Sequence, residues 1–414
     1  MAFGIWRRRL TEVKPTTTEG SSVSKYGLKR GRKVVAVALL AGIGAVTLAA
    51  VAGGASTSAV TESNSAAVAS VIEAKKLVAK AQRPVTWKAP GKPYDATRAK
   101  GMSIWYNSFL LTIPFEQYMC QGIKQAAKAV GASATCLDGK SSAAEFTKGI
   151  QQAVAADADA IILGGITPSF VAPALADAKK AGVKVIASHT QDPGRPLRGT
   201  PDSIVAVATH SYSYPGKLEA DFIVADSNGK GNAIFLESSD VGVISSLGRD
   251  AFKKEMARLC PSCKVKVINV PISQWGSLST KTASIIQSNP DYQYLVAVFD
   301  GMVLFMVPSV HAANAQDRVK IVSFNGTPAV MTFMKNKDVV AADVGGANLW
   351  QGWGLADQAF RVLTGAPQLL DIRAPQRLFT RANINSINLK AQESTWYSKV
   401  NYKAAYLKQW KVTK

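Results

Sequence analysis

The chain has 414 residues, 47% hydrophobic and 19% charged, which suits two packed domains and excludes a chain that is disordered or fibrous throughout. A net charge of +21 raises nucleic-acid binding, but nine Lys/Arg and only two acids crowd residues 1–33. The rest of the excess is spread thinly, without a basic run interleaved with aromatics, so no nucleic-acid partner is expected.

After that basic start, with Lys29, Arg30, Arg32 and Lys33 at its end, residues 34–55 read VVAVALLAGIGAVTLAAVAGGA. A basic region followed by an uncharged apolar one is the pattern of a signal peptide, and Ala50-Val51-Ala52 offers a small-residue cleavage site. The same stretch is long enough to stay as a membrane anchor. In both cases residues 1–33 stay in the cytoplasm and the rest is exported, to the periplasm or cell surface. Residues 56–99, rich in Ser, Thr, Ala, Lys and Pro, read as a linker with one helical stretch near Ala66–Ala81.

From Met102 short apolar runs alternate with amphipathic segments. Strands are expected over Met102–Tyr106, Ala132–Leu137, Ala158–Leu163 and Val183–Ala187, and helices over Phe115–Val130, Ala143–Ala155 and Val171–Ala181. The rhythm restarts with strands at Ser203–Ala208, Asn232–Leu236, Lys264–Val270, Tyr294–Val298, Val319–Val322 and Val339–Val344. Helices near Gly216–Asp226, Ser245–Leu259, Ser277–Gln287, Val303–Ala313 and Ala329–Met334 separate them, and Trp350–Leu363 follows. Such alternation is the pattern of βαβ units around buried parallel sheets, and two sets imply two α/β lobes of Rossmann-like build. The first lobe takes residues 100–211 and 346–376, the second 212–345 and 377–414. Ligands of open α/β sheets bind beyond the strands' carboxyl ends, so two lobes facing by those edges form a cleft. Ser394–Trp410 carries Trp396, Tyr397, Tyr402, Tyr406 and Trp410 at broadly helical spacing, and a terminal helix packed on the second lobe is expected.

The four cysteines suit an oxidising compartment. Cys120, early in a helix, and Cys136, late in the next strand, form a disulfide if packing brings them together, and Cys260-Pro-Ser-Cys263 reads as a local disulfide. No second CxxC or histidine pair completes a metal set.

Ile113-Pro114-Phe115 with Gln121-Gly122-Ile123-Lys124-Gln125-Ala126-Ala127, the Leu137-Asp138 strand end, Pro290-Asp291 before Phe299-Asp300-Gly301, and Val322-Ser323-Phe324-Asn325-Gly326-Thr327-Pro328 occur in that order on those elements. In this the chain resembles the type I periplasmic solute-binding proteins of the ribose- and galactose-binding kind, from about Lys100 to Gly365. The resemblance implies a substrate-binding component of an ABC importer, a monomer closing its cleft around a sugar or sugar-like molecule and docking on the permease. Hinge crossovers are expected near His210–Tyr214, Val344–Trp350 and Ala374–Leu378.

The resemblance also implies that Phe115 stacks on the ligand while Asp300 and Asn325 bind hydroxyls. On residue type alone Phe115 also suits a core position, and Asp300 the N-cap of a helix starting near Met302. Ribose and galactose binders carry Asp-Arg where this chain has His189-Thr190, Arg near Ser246, and Asn at Phe299. Charged or amide clamps are thus replaced by neutral or aromatic groups, which opens the ligand to modified sugars or to less sugar-like molecules. Tyr106 and Asn107 at the first strand's end, and Ser211 and Asn348 in the crossovers, complete the candidate site. His210 and His311 are the other histidines, and none has a neighbour at metal-ligand spacing.

Neither a G-x-S-x-G, a P-loop nor a G-x-G-x-x-G after a strand is present, and Asp138, Asp240 and Asp300 show no sequence pattern of a glycosidase pair. A non-enzymatic binder without a cofactor is expected. A membrane-anchored receptor feeding a sensor kinase is the rival reading.

Overall fold

The computed structural model describes residues 54–194 and 200–412. The basic start, most of the apolar segment and Ala50-Val51-Ala52 lie outside the described residues. Among those described, no helix is long and apolar enough to cross a membrane.

Helix α1 (Gly54–Ala81) comes first. A five-stranded sheet follows, built from β1 (Ser103–Ser108), β2 (Ser133–Asp138), β3 (Ala160–Gly164), β4 (Lys184–Ser188) and β5 (Ile204–Ala208), with α2 (Pro114–Val130), α3 (Ala143–Ala155) and α4 (Ala172–Lys180) in the connections. Its order is β2-β1-β3-β4-β5 and every pairing is parallel. Helix α2 shows why the elements form: Pro114 opens it without needing a hydrogen-bonded N–H, and Gly131 ends it in the left-handed region at φ 81°. Met119, Ile123, Ala126 and Val130 recur on its buried face.

The second sheet is fed by α5 (Ser213–Asp226). Its strands and helices run β6 (Ala233–Glu237), α6 (Val243–Leu259), β7 (Val265–Asn269), α7 (Leu278–Ser288), β8 (Tyr294–Ala297), α8 (Asp300–Ala312), β9 (Lys320–Asn325), α9 (Pro328–Lys335) and β10 (Val340–Gly346). Helix α10 (Asn348–Thr364) returns to the first lobe and packs on α2, and β11 (Gln376–Thr380) rejoins the second sheet. The order is β11-β10-β9-β8-β6-β7, with β11 alone antiparallel. The chain therefore passes between the lobes at 209–212, 347 and 365–375.

The segment expected as a linker is largely packed. Val71, Ala74 and Val78 of α1 join the core, the helix lies on α5, and Glu73 pairs with Arg258 of α6 at 2.9 Å. Residues 82–99 then run to the first lobe beside the C-terminal segment, with Val85 N donating to Tyr397 O at 2.8 Å and Tyr94 N to Gln409 O at 3.0 Å. Final helix α11 (Tyr402–Gln409) and Trp410 lie against α10 rather than on the second lobe. The reason is aromatic: Trp350, Trp353 and Phe360 on α10 offer the rings on which Tyr402, Tyr406 and Trp410 pack.

Cys120 and Cys136 are joined between α2 and β2 with Cα atoms 6.0 Å apart, and Cys260 is joined to Cys263. The first bridge closes a loop with a sequence separation of 16 and the second one of 3. Loss of loop-closure entropy in the unfolded chain stabilises by about 3 kcal/mol for a loop near 15 residues. Replacing Cys120 and Cys136 by Ser should thus lower urea-unfolding stability by about 2–4 kcal/mol, and the Cys260/Cys263 double replacement by much less.

Candidate ligand-binding cleft

Where the carboxyl ends of the two sheets face each other, residues from both lobes enclose about 60 Å³ of free space. The lobes meet at the mouth: a Cβ on Gly242, before α6, would lie 2.9 Å from Thr167 Oγ1, beyond β3. Gly242 has φ 69° and ψ −142°, a conformation that favours glycine, so backbone rather than side chain faces the opposite lobe there.

Five of the expected residues line this space. Phe115 stands in the first turn of α2, His189 follows β4 with φ 59°, Phe299 and Asp300 start α8, and Asn325 ends β9 with φ 142°. The positive φ of Asn325 turns the chain sharply before Gly326, and Asn348 Nδ2 holds its carbonyl at 3.1 Å. Asp300 does not cap its own helix. Its carboxylate accepts from Ser323 Oγ at 2.6 Å, Thr327 N at 2.6 Å and Thr327 Oγ1 at 2.7 Å.

The other six expected residues lie elsewhere. β1 runs to Ser108, so Tyr106 and Asn107 lie within the sheet and Phe109 is the first residue beyond it. Tyr106 is buried above Gly164 and its hydroxyl donates to Glu116, while Asn107 Nδ2 donates to Phe146 O at 2.8 Å beside α3. Thr190 is half-buried outside the lining. Ser211 serves the first crossover, where its carbonyl accepts from Gln376 Nε2 at 2.7 Å. Ser246 Oγ turns back to Val243 O at 2.8 Å, and Asn348 is a buried brace whose N–H donates to Glu393 at 2.8 Å. Asp138 and Asp240 do not line the space either: each carboxylate accepts from a backbone N–H, of Leu111 and Ile272 respectively.

Residues that sequence reasoning did not select complete the walls: Trp275, Tyr212, Thr327, Glu116, Leu304 and Ile272 among them. Trp275 lies in the turn after β7, over Gly301, whose missing side chain leaves room for the ring. Its indole N–H donates to Ser238 Oγ at 3.1 Å. A tryptophan between a strand and a helix is the one signal that marked it. Aromatic contacts continue across the first crossover, from Phe115 to His189 at 5.6 Å, His210 at 5.5 Å, Tyr212 at 4.8 Å and Phe324 at 6.0 Å.

Burial sets the charge state. It pushes the His189 imidazole down to about 4 against a hydrogen bond to Gln351, and His210 falls well below its usual value through burial and its proximity to His189. Both rings are neutral at pH 7. Burial raises Asp300 against its bonds from Ser323 and Thr327, and raises Asp343 with Asp300 hydrogen-bonded beside it. Burial also lifts Glu116 and Glu393 to about 8 each; the Tyr106 hydrogen bond opposes it at Glu116, and the Asn348 and Leu349 N–H groups oppose it at Glu393.

A pH dependence follows. Carboxyls raised from 4.5 to about 8 in the folded chain stabilise fully below pH 4.5, and that stability is lost as pH rises to 8. The histidines act oppositely but only below 6.5. Between pH 6.5 and 8 the melting temperature should therefore fall, each carboxyl contributing on the order of 1 kcal/mol per pH unit. Glu116→Gln should flatten that slope in a calorimetric pH series, and an unchanged slope would contradict the assignment.

The comparisons with known proteins bear on this arrangement. The periplasmic binding protein domain family matches residues 109–367, which reach into both lobes and span the first two crossovers. The chain belongs to the periplasmic binding proteins. No curated protein sequence matches it. Solved structures share the fold at low identity. An ABC sugar transporter subunit from Rhodobacter sphaeroides is 18% identical, with a TM-score of 0.60, over 69% of this chain and 100% of that one. The myo-inositol binding protein of Caulobacter, with bound myo-inositol, is 20% identical with a TM-score of 0.59, over 69% and 96%. The 5-methylthioribose transporter solute-binding protein of Thermotoga lettingae is 16% identical with a TM-score of 0.61, over 77% and 95%. As a periplasmic binding protein the chain is a solute binder and not an enzyme.

Proposed function

We propose that the chain is exported, traps one small organic molecule between its lobes, and delivers it to the permease of an ABC importer. The observation that carries this reading is the shared lining: Phe115 and His189 from one lobe and Trp275, Phe299, Asp300 and Asn325 from the other wall the same space. A molecule touching both walls stabilises the closed arrangement by its differential affinity for it, and the three crossovers supply the hinge. Phe115, His189, Phe299, Asp300 and Asn325 are the proposed ligand contacts. Relatives of this fold hold allitol, myo-inositol or 5-methylthioribose, which supports a ligand of about monosaccharide size.

Mass spectrometry of small molecules released on denaturing the purified protein tests this. One dominant compound near one per chain is expected. No released compound, together with no saturable binding across sugars, polyols, amines and acids, would overturn the reading.

A further inference from the structure

The cleft's charge is one-sided. Among the described residues that line it, Glu116 and Asp300 are the only charged types, and no described Lys or Arg joins them, in a chain whose net charge is +21. Glu116 is engaged by the Tyr106 hydroxyl. Asp300 is 2% exposed, and the groups hydrogen-bonded to it, Ser323, Thr327 and Asp343, bring no positive charge. Its place in the first turn of α8 and its bond from the Thr327 N–H favour the ionised form. Buried charges in folded proteins are ordinarily paired, so a carboxylate facing a cavity without a cation calls for one from outside.

Two further observations bear on the visitor. Asn325 Oδ1 is buried and without a hydrogen-bond partner on a residue only 4% exposed, so a second acceptor stands beside the cavity. The walls are aromatic and aliphatic: Phe115, Trp275 and Phe299, with Ile113, Ile244 and Leu304. Because the Trp275 N–H is engaged by Ser238, the indole offers its ring rather than a donor. Aromatic faces attract cations by their quadrupole, most strongly when water is excluded. A carboxylate or phosphate would instead be buried beside Asp300 with no counter-charge among the described residues.

We infer that the cleft takes a small organic ammonium compound, its cationic nitrogen set against Asp300 and Asn325 and its apolar body held by Phe115, Trp275 and Phe299. This rests on the reading of the cleft as the solute site and names the class of solute.

The test titrates the full chain with phenethylammonium and tetramethylammonium, and in parallel with galactose, myo-inositol and phenylacetate, following tryptophan fluorescence and melting temperature. The ammonium probes should raise the melting temperature and shift the fluorescence, while the sugars and the acid leave both unchanged. Asp300→Asn should weaken ammonium binding about tenfold or more, since a hydrogen bond to a charged group is lost. Should that variant fail to fold, Phe299→Leu leaves the carboxylate network intact and should weaken binding several-fold through loss of the ring face. Response to galactose or myo-inositol without response to ammonium would overturn the ligand class and leave the cleft's role standing. Ammonium binding unaffected by either variant, or no response to any ammonium probe, would overturn the inference as well.

Discussion

Gly352→Val is expected to cost the protein more than about 3 kcal/mol of stability, through overpacking that no side chain can relieve. At the crossing of α2 and α10 a Cβ on Gly352 would lie 2.5 Å from Met119 O and 2.7 Å from the Cα of Gly122. One on Gly122 would lie 2.5 Å from Leu349 O. All of these are backbone atoms, so a side chain at either position must drive the helices apart. Parting them unpacks Met119 and Ile123 and moves the helix that begins at the second crossover, next to Asn348 and Asn325. Gly276→Ala is the control, because nothing lies within 4 Å of its Cβ position. Urea unfolding of the two variants checks the difference; equal stabilities would contradict the crossing.

Trp410→Ala carries the second large expectation, a loss of about 3–5 kcal/mol for removing a fully buried indole. Trp410 stacks on Trp353 at 5.3 Å and 5° and meets Phe360 edge-on at 5.2 Å. Its N–H donates at 2.7 Å to Asp357, a buried carboxylate that also accepts from Tyr94 at 2.7 Å and pairs with Arg361 at 3.2 Å. Trp410→Phe keeps most of the packing and drops that bond, so a loss of about 1–3 kcal/mol is expected. Calorimetry on both variants separates packing from hydrogen bonding. Trp410 lies beyond the family match, and a negligible effect of its removal would show the C-terminal segment to be an appendage rather than part of the lobe.

The scaffold was legible because parallel strands buried on both faces leave apolar runs such as Ala160–Gly164, set between amphipathic helices. What escaped lacked such a pattern. β11 is a short antiparallel edge reading QRLFT, with no helix to announce it. The α1 segment looked like a linker because its small, polar-rich composition hides a face whose buried members, such as Ala74, carry little hydropathy. The last helix was placed on the wrong lobe because aromatic spacing shows that a face packs but not against what.

At the cleft, residues that end strands or begin helices could be placed, as with Phe115, His189, Asp300 and Asn325. Tyr106 and Asn107 could not, because their fate depended on β1 running two residues past the expected end. Trp275 reaches the cavity from a 3-10 turn, where no period betrays direction. Ser211, Ser246 and Asn348 resemble binding residues by type but spend side-chain hydrogen bonds on the backbone, Ser211 Oγ on Tyr214 N.

The central claim is closure of two lobes over one solute, and small-angle scattering with and without a calorimetrically confirmed, saturating ligand tests it most directly. The account predicts a smaller radius of gyration with ligand, as the lobes adopt the arrangement in which Thr167 meets Gly242. A radius unchanged at saturation would contradict it.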